Sequence, residues 1–261
     1  GRMSRGMAAV CWSGAYRSSH KTALVTGAAA RLGARTARAL HAWGCRVLLH
    51  YNSNADGAEK LAAQLNSGRP GSAATAQADL SSQDGVDSLV DQVRSAFGGL
   101  DVLVNNASRF YPTAIGGTLA WQWEDLMNSN LRGPYFLVQG LVDELRAAKG
   151  SVINIVDIHS EKPMPGHGVY CMSKAGLAMM TRALAWELGP DIRVNGVSPG
   201  AIMWPENEPG EAEKQNILDR TSLGRIGDPG DIASAVAYLA LDAPYVTGQV
   251  LAVDGGRSLN I

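Results

Sequence analysis

No apolar stretch in these 261 residues reaches the ~18 that a membrane-spanning helix needs, so no membrane partner is expected. An excess of charge of either sign is missing too. With 23 Lys and Arg against 24 Asp and Glu, the net charge is −1, which gives no electrostatic reason to expect nucleic acid or an acidic surface as a partner. That leaves a small-molecule substrate. Cysteine is scarce: Cys11, Cys45 and Cys171 are odd in number, widely spaced and form no C-x-x-C pair. Reduced thiols in a cytoplasmic setting follow as the expectation, with no metal site. The long apolar segment of a secretory signal is also lacking from residues 1–20, whose mixed small and basic composition shows no period. That segment reads as a flexible upstream extension or expression remnant, less readily as a short targeting arm, and is left out of the fold.

What is present is apolar material, 46% hydrophobic against 18% charged residues, enough for the core of one α/β domain over residues 21–261. After an apolar run from Thr22, strand-like and helix-like segments alternate. Strands are predicted at Arg46–Ser53, Ala73–Ala78, Val102–Asn105, Ser151–Val156, Arg193–Val197 and Gln249–Val253. Helices are predicted at Ala55–Asn66, Gln83–Phe97, Trp121–Ala148 with a bend at Gly133-Pro134, Tyr170–Leu188 and Pro229–Leu241. Seven strands interleaved with helices predict one doubly wound, Rossmann-type parallel sheet with helices on both faces. Right-handed crossovers would gather the loops after the strands along one edge, where ligands bind in such sheets.

Those loops carry the chemistry. Thr22-Ala-Leu-Val-Thr-Gly27-Ala-Ala-Ala-Arg31-Leu32-Gly33 reads as strand, tight turn and helix start. Gly27 would permit the turn, Gly33 a close helix-strand approach, and the helix N-terminus would offer N–H groups to a pyrophosphate. Arg31 stands where G-x-G-x-x-G has its middle glycine, so an ordinary helix cap is the competing reading. The second strand ends without the Asp or Glu that would hold the ribose diol of NAD. His50, Asn52, Ser53 and the cationic Arg31 offer donors and positive charge instead, suited to the 2′-phosphate of NADP; a polar loop touching no cofactor is the alternative. Asn105 to Ser108, Asp157 and Pro199-Gly200 follow later strands, as site residues or as Asx turns and strand-end caps. Tyr170 and Lys174 lie four residues apart, one helical turn, on one face. A phenol titrates near ~10, and a neighbouring ammonium would lower that value and make the tyrosine a usable proton donor.

Taken together, Thr26-Gly27 to Gly33, Asp79-Leu80, Asn105-Asn106-Ala107, Asn130, Tyr170 with Lys174, Pro199-Gly200 and Val253-Asp254-Gly255-Gly256 resemble the short-chain dehydrogenase/reductase family over residues 21–261. Within it the chain is most similar to the pteridine reductases. Asp157 stands where most of the family has serine, and Arg31-Leu32-Gly33, His50-Tyr51 and Asn106-Ala-Ser108-Arg-Phe110-Tyr111-Pro fit that group. The resemblance implies NADPH held by Gly27, Arg31, Leu32, Gly33, His50, Tyr51, Asn52, Ser53, Asp79, Leu80, Asn106, Ala107, Ser108, Lys174, Pro199 and Gly200. It implies substrate contacts from Ser108, Phe110, Asp157 and Tyr170, with Phe110 stacked on a pterin ring. It also implies catalysis by Tyr170, Lys174 and Asp157, with Asn130 holding a water that links Lys174 to solvent. Met203, Trp204 and Glu206 lie where the family has a mobile substrate loop, and Trp204 could cover the pocket. A homotetramer built on the two long helices is implied too, with residues 257–261 able to reach a neighbouring subunit's pocket.

The chemistry agrees with those choices. A pterin is flat, with a donor-acceptor edge, so Phe110 and the nicotinamide would sandwich it, while the Asp157 carboxylate could bind or protonate ring nitrogens. For Phe110 the competing reading is a core aromatic, and for Asp157 a cap or salt bridge. Three functions stay open: reduction of a dihydropterin or dihydrofolate with NADPH, reduction of a carbonyl such as a 3-oxoacyl thioester, steroid or sugar, and NADP sensing without catalysis.

Overall fold

The computed structural model describes residues 21–204 and 209–261; the extension expected at residues 1–20 and Glu206 of the expected substrate loop lie outside the described residues. In chain order the elements are β1 (Thr22–Val25), α1 (Arg31–Ala42), β2 (Arg46–Tyr51), α2 (Ala55–Gly68), β3 (Ala73–Gln77), α3 (Gln83–Phe97) and β4 (Val102–Asn105). There follow α4 (Ala120–Met127), α5 (Gly133–Gly140), α6 (Val142–Ala147), β5 (Ser151–Ile155), α7 (Gly168–Leu188), β6 (Arg193–Pro199), α8 (Glu211–Asp219), α9 (Pro229–Leu241) and β7 (Val250–Val253).

All seven strands pair in parallel, in the order β3-β2-β1-β4-β5-β6-β7. The order reverses between β1 and β4, and the crevice at the carboxyl ends of those strands is where a doubly wound sheet takes its ligand. Alternation along each strand feeds two cores. Leu24, Leu48, Leu103, Val152 and Val194 pack with Val86, Leu137 and Leu184 of α3, α5 and α7 on one face. Ala23, Val25, Val47, Val104 and Ile153 pack with Ala37, Leu40, Ile232 and Val236 of α1 and α9 on the other. Successive residues of one strand thus serve opposite layers.

Two departures from the predicted elements matter for the site. The single helix expected over Trp121–Ala148 is three, because a π-helical turn occupies Asn128–Arg132 and a break falls at Leu141. The wide turn directly precedes Gly133-Pro134, where Pro134 has no N–H to offer the preceding turn. Helix α8 was not expected; none of its residues is buried, so it leaves no apolar period to read.

Candidate active site

The glycine turn is braced from three sides. Gly27 has φ +61°, and a Cβ there would lie 3.0 Å from Ala107 Cα; at Gly33 a Cβ would overlap the Gly27 carbonyl. Thr26 Oγ1 accepts the N–H groups of Asn106 and Ala107, both at 2.9 Å. Asn106 Nδ2 returns hydrogen bonds to the carbonyls of Thr26 and Gly27 at 2.9 and 3.2 Å. The loop after β4 is therefore stitched to the turn after β1 across the switch point. His50 is the third brace. Its Nδ1 accepts from Gly27 N–H at 3.0 Å, so Nε2 carries the proton and donates to Ala78 O at 2.9 Å. Burial at 2% exposure lowers its pKa and keeps it neutral. This corrects the expectation that His50 offers a donor or charge to a phosphate: both ring nitrogens are spent inside the protein.

Beside this turn is a cavity of about 470 Å³. Gly27, Arg31, Leu32, Gly33, His50, Tyr51, Asn52, Ser53, Asp79, Leu80, Asn106, Ala107 and Ser108 all line it. Lys174, Pro199 and Gly200 lie outside its wall, Lys174 with only 2% exposure. Arg109 and Ser81 line the cavity without having been foreseen. Helices α2, α3 and α9 are capped by the side chains of Asn54, Ser82 and Asp228, whereas the N-cap of α1 is Ala30, which cannot cap, and its first turn has no acid. That end of α1 faces the cavity, and uncapped N–H groups with the positive end of the helix dipole suit a pyrophosphate. Arg31 sits there with φ +51°, a conformation that L side chains adopt at a cost, and it is exposed. On the cavity floor Asp79 Oδ1 accepts from Ser81 Oγ and N–H at 2.7 and 3.0 Å, which holds the carboxyl below its ordinary range. The donor set fits a dinucleotide with an extra phosphate.

Helix α7 brings Tyr170 and Lys174, 5% and 2% exposed, under the loop after β5. The Tyr170 hydroxyl donates to Asp157 Oδ2 at 2.8 Å, and Asp157 Oδ1 accepts His159 N–H at 2.8 Å. Asp157 is thus both the cap of the short turn Ile158–Ser160 and a partner of the phenol. Lys174 Nζ donates to Ile155 O at 2.9 Å and lies 5.8 Å from the Tyr170 ring centroid. Burial, seconded by the Asp157 charge and hydrogen bond, pushes the Tyr170 phenol well above its ordinary value. Burial pushes Lys174 down to about 8, against the pull of Asp157. The expected lowering of the phenol by its ammonium neighbour is therefore outweighed in this site, because desolvation and a closer anion both favour the neutral phenol.

The π-helical turn places Asn130 between two of these parts. Its Oδ1 accepts Arg109 N–H at 2.8 Å, and its Nδ2 donates to Arg109 O at 2.9 Å and Ser173 Oγ at 3.1 Å. The loop after β4 is thereby joined to α7 one residue from Lys174. Phe110 is 56% exposed and no core aromatic. It stands edge-on to Tyr170 at 4.8 Å and 83°, and stacks on His167 at 4.8 Å and 11°. His167 had no signature in the sequence beyond its place three residues before Tyr170. Trp204 is half-buried, with Lys214 of α8 5.8 Å from its ring; it is not among the residues stacked with Phe110 or Tyr170.

A cavity at the switch point lined by the glycine turn and an uncapped helix N-terminus, joined through one loop to a buried tyrosine-lysine pair, defines a nicotinamide-dependent oxidoreductase. Residues 27–258 match the family model described as "Enoyl-(Acyl carrier protein) reductase". Among curated relatives, the chain is 39% identical to pteridine reductase 1 of Leishmania tarentolae, covering 91% of this chain and 96% of that one. It is 37% identical to 3beta-hydroxysteroid dehydrogenase 1 of Eggerthella lenta, covering 92% and 94%. It is 35% identical to the 3-oxoacyl-[acyl-carrier-protein] reductase FabG of Staphylococcus epidermidis, covering 91% and 98%. A blue fluorescent protein from a metagenomic library, solved in complex with NADPH, superposes with a TM-score of 0.86 at 35% identity over 92% of this chain and 99% of that one. The chain belongs to the short-chain dehydrogenase/reductase family.

Proposed function

We propose that this enzyme reduces a pterin, a dihydropterin or dihydrofolate, to its tetrahydro form with NADPH. The observation that carries the reading is the hydrogen bond from Tyr170 to Asp157, 2.8 Å long, with the Phe110 ring 4.8 Å from the same tyrosine. A flat heteroaromatic ring held against Phe110 would present its edge nitrogens to a hydroxyl and a carboxylate together. Likeness to pteridine reductase 1 across 91% of the chain supports the same substrate class. Preference for NADPH is supported by Arg31 at the cavity rim, by the absence of an acid at the end of β2 and by the NADPH of the blue fluorescent relative.

When bound, NADPH would supply the hydride. The protein's own part is the proton. As a C=N carbon gains hydride, its nitrogen becomes strongly basic, so even a phenol whose pKa is raised can protonate it. The raised value keeps Tyr170 charged with its proton until that moment. Lys174 supplies the compensating positive charge as the phenol gives the proton up, while Asp157 orients the hydroxyl through its hydrogen bond. Arg31, the N-terminus of α1 and the donors Asn52 and Ser53 hold the cofactor; Ser108 at the cavity wall and Phe110 orient the substrate. Trp204 would close over the ring. The reading includes a homotetramer built on α4 to α7, supported by the exposed apolar side chains of Tyr135, Met172, Met179 and Trp186 on those helices.

The second reading is reduction of a carbonyl, favoured by the 3-oxoacyl reductase and steroid dehydrogenase relatives. Asp157 weighs against it, because a carboxylate beside a developing alkoxide repels it. NADPH oxidation measured with dihydrobiopterin, an acetoacetyl thioester and a simple ketone decides. Faster turnover of the thioester or ketone than of the pterin would overturn the first reading; no turnover of any would favour an NADP-sensing protein.

A further inference from the structure

Arg109, Phe110 and Tyr111 follow β4 outside any helix or strand, and their side chains part company. Arg109 Nη1 forms an ion pair with Asp125 Oδ1 of α4, and the Tyr111 hydroxyl donates to Asp125 Oδ2 at 2.8 Å. Phe110, between them, turns to Tyr170 and His167. One carboxylate therefore grips both neighbours of the ring. The Arg109 backbone is fixed as well, through the paired hydrogen bonds to Asn130, and a second arm of its guanidinium lies 3.7 Å from Asp79 in the cavity wall. Asp125 itself is not among the cavity-lining residues.

We infer that Asp125 is a positioning residue: by holding Arg109 and Tyr111 it sets the plane of Phe110 against Tyr170, and with it the plane in which a flat substrate ring can lie. The inference rests on the pterin reading for the identity of that ring. A carboxylate that only stiffened α4 would weaken the fold evenly, whereas one acting through Phe110 is felt where Phe110 is felt.

The test is a double-mutant cycle with dihydrobiopterin and NADPH. Asp125→Asn, and Tyr111→Phe as the milder change that removes one hydroxyl, are each expected to raise KM for the pterin about 10-fold while kcat changes by less than about 3-fold, the signature of ring stacking lost equally in ground and transition states. Asp125→Asn on top of Phe110→Leu is expected to add little, because the two act through one ring. Additive effects would overturn the inference. A readout without substrate separates it from the pterin reading: amide hydrogen exchange over residues 109–113 should accelerate about 10-fold in Asp125→Asn but not in Phe110→Leu. Should the wild-type enzyme leave dihydrobiopterin untouched, the proposed substrate falls and the exchange experiment alone decides; unchanged exchange in Asp125→Asn then overturns the clamp.

Discussion

Tyr170 gives its hydroxyl proton to a hydrogen bond with Asp157 Oδ2 at 2.8 Å, across 13 residues of chain. The phenol is thus paired with an anion, and it is on this pairing that the proposed preference for a nitrogen acceptor over a carbonyl oxygen rests.

Replacing Asp157 with serine tests that pairing cleanly. A serine hydroxyl can still cap the His159 N–H that Asp157 Oδ1 now accepts, since serine is a good capping residue, so the fold should survive. Turnover of dihydrobiopterin is expected to fall by about 100-fold, the range of a lost acid-base partner, while turnover of a simple ketone rises. An Asp157→Ser enzyme with unchanged pterin turnover would remove the carboxylate from the mechanism.

The lowered pKa of Lys174 gives the pH dependence its sign. Folding takes this group from about 10.4 in the open chain to about 8, so between those values the unfolded chain holds more protons and this group's contribution to stability grows as pH rises. Below about 8 its full cost is present. Activity that needs the ammonium runs the other way, and kcat should fall as pH rises through about 8; Tyr170, pushed upward, contributes nothing there. Lys174→Met should abolish that limb together with activity, and its melting temperature relative to wild type should be highest below pH 8 and decline above it. A difference independent of pH would place the buried charge elsewhere.

Parallel strands buried on both faces read as apolar runs, which is why Val102–Asn105 was legible to the residue. Helix α3 was legible as Gln83–Phe97 because Ser82 caps its start and Gly98, at φ +73°, ends it. That the turn after β1 and the loops after β2 and β4 meet around one cavity was legible from spacing and likeness, but the hydrogen-bonding and charge states of their side chains were not. Whether Tyr170 titrates up or down depends on burial and on a carboxylate brought from another strand. His50 looked like a cofactor donor because its partners, Gly27 N–H and Ala78 O, are backbone atoms with no signature of their own. Arg109 and His167 make contacts with Asp125, Asp79 and Phe110 that no local pattern announces.

Arg31 bears a side chain at φ +51°, where glycine would be easier by roughly 1 kcal/mol. Its side chain should therefore matter to binding more than to folding. Arg31→Gly is expected to leave the melting temperature unchanged or slightly raised while KM for NADPH increases about 10-fold, the scale of one lost charge-assisted hydrogen bond. KM for NADH should hardly move. Parallel losses for both cofactors would assign Arg31 to the shape of the turn rather than to a 2′-phosphate.

Gly33 makes the opposite case, a residue needed for what it lacks. A methyl group there would overlap the Gly27 carbonyl and lie 2.6 Å from Asn106 Nδ2, the atom that bonds the carbonyls of Thr26 and Gly27. Neither backbone can give way easily, since Thr26 Oγ1 and the His50 ring hold the turn from other sides. Gly33→Ala should push α1 away from the turn and cost about 1–3 kcal/mol of stability, the usual scale of overpacking. NADPH titration followed by its fluorescence should show binding weakened well beyond what the loss of stability accounts for, because the displaced helix carries the N–H groups that face the cavity. If instead Gly33→Ala binds NADPH as wild type does, the pyrophosphate does not sit on the N-terminus of α1.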